Sequence, residues 1–65
     1  MGTYKVTIEK FLNGVSYGIN EYFIDGTFVN SEYEAKMKAF EQAQFEDEDE
    51  FNEWKIISVE YFEDK

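Results

Sequence analysis

Five consecutive carboxylates, Glu46, Asp47, Glu48, Asp49 and Glu50, stand between Phe45 and Phe51, and Glu53 and the sole tryptophan, Trp54, follow at once. Carboxylates at this density can do three kinds of chemistry: acid–base catalysis in pairs, coordination of a hard cation, or pairing with the arginines and lysines of another molecule. Catalysis by paired acids needs a walled cleft that separates two pKa values, which one thin sheet and one helix can hardly build. The chain has no histidine and no cysteine, and Ser16, Ser31 and Ser58 have no imidazole to activate them. No enzymatic role is expected. Counted from Asp47, a calcium loop would need glycine at its sixth position and a bidentate glutamate at its twelfth; Asn52 and Ser58 stand there. Zinc would lack both Cys and His, and four glycines scattered singly make neither a phosphate loop nor a dinucleotide fingerprint. No metal and no cofactor are expected, which leaves recognition of a basic partner.

The distribution of charge supports that third reading. Fifteen acids against six lysines give a net charge of −9 over 65 residues, and residues 41–65 hold ten of the acids and two of the lysines. Such a surface repels phosphate backbones and anionic lipid and attracts basic protein surfaces, so neither direct nucleic-acid binding nor membrane binding is expected. No apolar run approaches the roughly 18 residues of a membrane span. The opening MGTYKVTIEK has no secretory apolar stretch, and Val6 stands where a myristoylation signal needs Ser or Thr, so the expected location is cytoplasmic.

The elements that must position these acids can be read from periodicity. Residues 1–65 are short enough for a single domain near the lower limit of size, and the seven Phe, five Tyr and one Trp have to supply its core. Tyr4, Val6 and Ile8 alternate with Thr3, Lys5, Thr7 and Glu9, the period of a half-buried strand. Asn13-Gly14 is a hairpin signal, YGINEYFID reads as a second strand, and Asp25-Gly26 turns the chain again before TFV, which suits one short strand or an extended lead. Ser31 and Glu34 fit a capping box, so a helix should begin near Glu32, with Tyr33, Met37, Phe40 and Ala43 or Gln44 as its apolar stripe. Phe40 and Met37 should then face the sheet near Val6, Ile8 and Val59. The acidic run should end or fray this helix, because like charges repel at helical spacing and oppose the dipole at a C-terminus. WKIISVEYF is the last strand. The expected fold is α+β: a small antiparallel sheet of three to four strands with one helix packed on one face, in the order β-β-(β)-α-β.

The stretch from Asn20-Glu21-Tyr22, through Ala39-Phe40, to the run Glu46 to Phe51 resembles the small phage-encoded anti-CRISPR proteins that inhibit Cas9 by mimicking DNA. The resemblance covers about half of the chain. It implies a carboxylate cluster seated in an arginine site that normally reads DNA, through bidentate pairing. Asp47, Glu48, Asp49 and Glu50 would then stand in for phosphates or base edges, with Glu46 and Glu53 supporting.

Two functional expectations follow. In the first, the chain is a small non-enzymatic interaction protein of phage or mobile-element origin that blocks a basic nucleic-acid-binding surface of a host protein. The acids Glu46 to Glu50 and Glu53 provide its charge, and Phe45, Phe51 and Trp54 act as aromatic anchors. In the second, it is a structural homo-oligomer or accessory subunit, the acids serving solubility, that pairs through a sheet face carrying Phe11, Tyr17, Phe23 or Phe62 uncovered. Because the acids crowd one another, replacing Asp47 and Asp49 with Asn should raise the melting temperature.

Overall fold

Val6 and Ile8 are wholly buried, and the residues in phase with them on the same strand face toward the helix as well. The computed structural model describes residues 2–63. It holds strands β1 (Gly2–Leu12), β2 (Val15–Asp25) and β3 (Glu53–Glu63) and one helix, α1 (Glu32–Asp47). The sheet is antiparallel with the order β2-β1-β3, so β1 is central and both of its neighbours are edges. With α1 on one face this is the expected α+β fold with three strands. Thr27–Val29 is not a fourth strand: Gly26–Phe28 form a single 3-10 turn, whose second amide is held by the Asp25 carboxylate accepting from Thr27 N at 2.8 Å, and Val29 follows in extended conformation.

The hairpin between β1 and β2 closes through two residues, since Leu12 pairs with Val15. Asn13 at φ 52° and Gly14 at φ 82° supply the left-handed pair that such a turn needs to match strand twist. Gly26 answers a different requirement. A Cβ there would lie 2.7 Å from the Gly2 carbonyl oxygen, so only glycine lets the turn cross the start of β1 this closely.

Helix α1 starts where the cap predicts. The Ser31 hydroxyl accepts from Glu34 N at 3.2 Å, but the Glu34 carboxylate reaches the amide of Asn30, at 3.4 Å, and not that of Ser31 itself. The expected helix face holds only at Ala43, one of the two alternatives given for its end. The residues buried against the sheet are Ala35, Ala39 and Ala43, spaced four apart, while Tyr33 is 69% exposed, Met37 is 39% exposed and Phe40 is only half-buried. At 3.6 residues per turn the alanine seam lies about a third of a turn away from the Tyr33–Met37–Phe40 stripe. Size complementarity is the physical reason. The sheet already presents Val6, Ile8, Tyr22 and Ile24, with Tyr4, Trp54, Ile56 and Val59 packed around them. Bulk on the sheet leaves room only for methyl groups on the helix if the two layers are to pack without voids.

Two bulges adjust the sheet. One residue, Tyr17, is extra on β2 between the pairs Lys10–Gly18 and Phe11–Ser16. Another, Ile57, is extra on β3 between Thr7–Ser58 and Ile8–Ile56. The first lies at the end of the sheet that meets the acidic run, and bulges commonly re-aim a side chain at such a place. Among the described residues no helix is long and apolar enough to cross a membrane.

Candidate functional site

The acidic run ends the helix, as expected, two residues into the run. Helix α1 continues through Glu46 and Asp47, and a tight turn follows in which the Asp47 carbonyl accepts from the amides of Glu50 and Phe51, both at 3.0 Å. Lys10 is what makes this possible. It follows Tyr4, Val6 and Ile8 in the even phase of β1, so its side chain must enter the layer between sheet and helix, where it is 5% exposed. There the ammonium donates to the Asp47 carboxylate and lies 5.6 Å from the centre of the Tyr22 ring and 5.9 Å from that of Phe51. The Asn20 amide, in the orientation that satisfies both of its ends, accepts from Lys10 Nζ at 3.0 Å. Burial pulls the Lys10 pKa down, but hydrogen bonds to Asp47 and Tyr22 outweigh it and hold the group above the usual lysine value. Lys10 is therefore a buried cation held by the root of the acidic run.

Glu46 is tethered too. It accepts from the Tyr22 hydroxyl at 3.5 Å, the long end of the hydrogen-bond range, and from Gln42 Nε2 at 3.3 Å. Beyond the turn, Asn52 fastens the chain to the β1–β2 hairpin. Its amide donates to the Phe11 carbonyl at 3.0 Å, its side-chain oxygen accepts from Asn13 N at 3.1 Å, and its side-chain nitrogen donates to Asn13 Oδ1 at 3.2 Å. A segment that reads from composition as a solvated loop is thus pinned on both sides of the turn.

Between those pins, Glu48, Asp49 and Glu50 are exposed, and among the described residues no hydrogen bond or ion pair holds their side chains. No family model matches the chain, and no curated protein or solved structure matches it. The reading of the site therefore rests on its own geometry.

The residues expected to bind a partner divide into two groups. Glu48, Asp49 and Glu50 form the free anionic tip, and Phe45 stands beside it 79% exposed. Asp47 is committed to Lys10, Glu46 is partly committed to Tyr22 and Gln42, and Glu53 lies 3.9 Å from Lys55 across a loose surface pair. Phe51 is half-buried, with its ring centre 5.9 Å from that of Tyr17, the bulged residue. Trp54 packs on the core as the register partner of Lys10, and its indole nitrogen is buried with no hydrogen-bond partner among the described residues. Phe51 and Trp54 support the site from below, and Phe45 is the aromatic that a partner can reach.

On the opposite face of the sheet, Lys5 bridges Glu60 at 3.1 Å on β3 and Glu21 at 3.3 Å on β2. Those two bonds, Glu60 the larger, raise its pKa. With Lys10, Lys36 and Lys55 each also beside a carboxylate, Lys38 is the described lysine that no ion pair engages. Four of the five described lysines are thus paired within the chain, so the charge offered outward by the described residues is mainly anionic. Among the described residues there is no pocket and no group of three or more side chains placed to hold a metal ion.

Proposed function

We propose that this chain is a small acidic interaction protein, of phage or mobile-element origin, that mimics nucleic acid and occupies a basic nucleic-acid-binding surface of a host protein. The observation that carries this reading is the free tip of Glu48, Asp49 and Glu50 on a turn pinned by Lys10–Asp47 on one side and by Asn52 on the other. A turn whose backbone is held in advance has less chain left to order when arginines pair with its carboxylates, so more of the pairing energy appears as affinity. The net charge of −9 steers a basic partner toward that tip from beyond contact distance. Exposed Phe45 beside it is the anchor for apolar contact.

The test is displacement. A fluorescent DNA duplex bound to basic nucleic-acid-binding proteins recovered from a bacterial lysate should be released by the parent chain and not by a variant carrying Glu48→Lys, Asp49→Lys and Glu50→Lys, whose far-UV dichroism matches the parent. Equal release by the two would end this reading.

A second reading, a homo-oligomer, is favoured by the sheet face that α1 leaves uncovered, where Phe23 is 63% exposed and Phe62 is 48% exposed. Two copies meeting there would bring −9 against −9, a repulsion that the first reading turns into attraction. Light scattering at micromolar concentration decides: a stable dimer in moderate salt supports the second reading, and a monomer removes it.

A further inference from the structure

The stripe that fails to face the sheet has an arrangement of its own. Tyr33, Met37, Phe40 and Gln44 follow one another at spacings of four, three and four, the alternation of a two-helix seam, and lie within about a sixth of a turn of one another. Three of the four are large apolar side chains, and Tyr33 and Met37 are exposed, whereas the inner face of the same helix spends only alanines on the core. Along the side of this seam away from the sheet run Glu34, Glu41 and Glu48, seven residues apart, so all three occupy the same flanking position of the repeat. Glu41 and Glu48 are exposed and Glu34 is partly so. Lys36, beside Glu32 at 3.6 Å, is the cation on the other flank.

We infer that this outer face of α1 is a docking seam for an amphipathic helix that carries lysine or arginine beside its apolar stripe. A seam with coiled-coil spacing fits a helix better than an extended segment, because only a helix returns an apolar side chain at the alternating interval. Charge selects the kind of helix: a row of three glutamates at one flanking position pairs with basic residues and rejects acidic ones. A second copy of this chain is disfavoured as the occupant, since it would bring an equal row of glutamates and an equal charge of −9. The seam shares Glu48 with the anionic tip, but Tyr33, Met37 and Glu41 lie outside the tip and Asp49 and Glu50 lie outside the seam, so variants at those residues test the two surfaces separately.

The probes are two synthetic peptides of about three heptads, each with leucine at the seam positions, one with lysine and one with glutamate at the flanking positions. With methyl-labelled methionine, the lysine peptide should shift the Met37 signal. A labelled copy of that peptide should bind the parent at least tenfold more tightly than it binds Met37→Ser or Glu41→Lys, while Asp49→Lys with Glu50→Lys, distant from the seam, should leave at least half of the affinity. Residues 37 and 41 are exposed on the helix, so both seam variants should keep the parent dichroism, which is checked first. The inference is overturned if the Met37 signal stays in place, if the glutamate peptide binds equally well, or if Glu41→Lys changes nothing.

Discussion

Replacing Asp47 with Asn removes the carboxylate that neutralises Lys10 and leaves a buried ammonium facing only neutral partners: the introduced amide oxygen, the Asn20 oxygen, the Tyr22 hydroxyl and the faces of two rings. Breaking a buried pair by removing one partner costs about 3–5 kcal/mol. The Asp47 side chain is 17% exposed and the Lys10 side chain 6%, so water relieves the site only from one side and the lower end, about 3 kcal/mol, is expected here. For a domain of this size that is about 12–24 °C in melting temperature, against a total stability of about 3–10 kcal/mol. Lys10→Met should cost less, about 1–2 kcal/mol, because the carboxylate left behind can turn toward water. Lys10→Met with Asp47→Leu should be close to the parent, since replacing both charges with apolar side chains avoids the desolvation of either. Asp49→Asn, two residues along on the free tip, should hold or slightly raise the melting temperature by relieving repulsion. Melts followed by far-UV dichroism, with Trp54 fluorescence as a local reporter beside Lys10, give all four values. If Asp47→Asn melts within about 4 °C of the parent, less than about 1 kcal/mol, the lysine is not held as described.

The alanine seam predicts that Ala39→Leu destabilises by about 1–3 kcal/mol or more through overpacking, while Phe40→Ala, at a half-buried position, costs only about 1–2 kcal/mol; urea titrations rank the two. Because the folded pKa of Lys10 is raised above 10.5, its pairing contributes fully below that pH and is lost as pH rises through the folded value. The melting temperature of the parent should therefore fall more steeply above about pH 10.5 than that of Lys10→Met, and the difference between the two curves isolates this group. Asp25 has the opposite sign: the Thr27 backbone amide, then its hydroxyl, holds the carboxyl below 3.8, so its contribution is present above that pH and is lost as pH falls through the folded value. Asp25→Ala should accordingly flatten the acid side of the melting curve.

Much of the fold was legible because its signals are local. Two-residue alternation in β1, Asn13-Gly14 at the hairpin and Ser31 as the cap of a helix beginning at Glu32 are each found as expected, although the Glu34 carboxylate returns to Asn30 and not to Ser31. The inward helix face differs from the stripe of largest side chains because hydrophobicity alone ranks Tyr33, Met37 and Phe40 above the alanines. Which stripe turns inward depends on the bulk already supplied by the opposite layer, and that bulk is a tertiary quantity. Lys10 was missed although its signal was present, since a cation in phase with Tyr4, Val6 and Ile8 on a buried strand face requires a carboxylate from the facing layer, and the acidic run is the nearest supply after the helix. Once Asp47 is assigned to that duty, the run ceases to be one homogeneous patch and becomes a structural root with a free tip. Trp54 could not be separated from Phe45 by sequence alone, because both are aromatic residues flanking the same acids, and only the register with Lys10 places one inside.

The central claim is that Glu48, Asp49 and Glu50 are the recognition charges, and the most direct measurement is the affinity of the parent and of a neutral Glu48→Gln, Asp49→Asn, Glu50→Gln variant for a captured basic partner, taken across a range of salt. Neutral replacements introduce no repulsion, so the loss reports the missing pairs alone. Binding by the parent should weaken steeply between about 50 and 300 mM salt, where the Debye length shrinks from about 14 to 6 Å. The variant should bind at least a hundredfold more weakly at low salt with a shallower salt dependence. Equal affinity and equal salt dependence for the two, with both chains folded, would contradict the account.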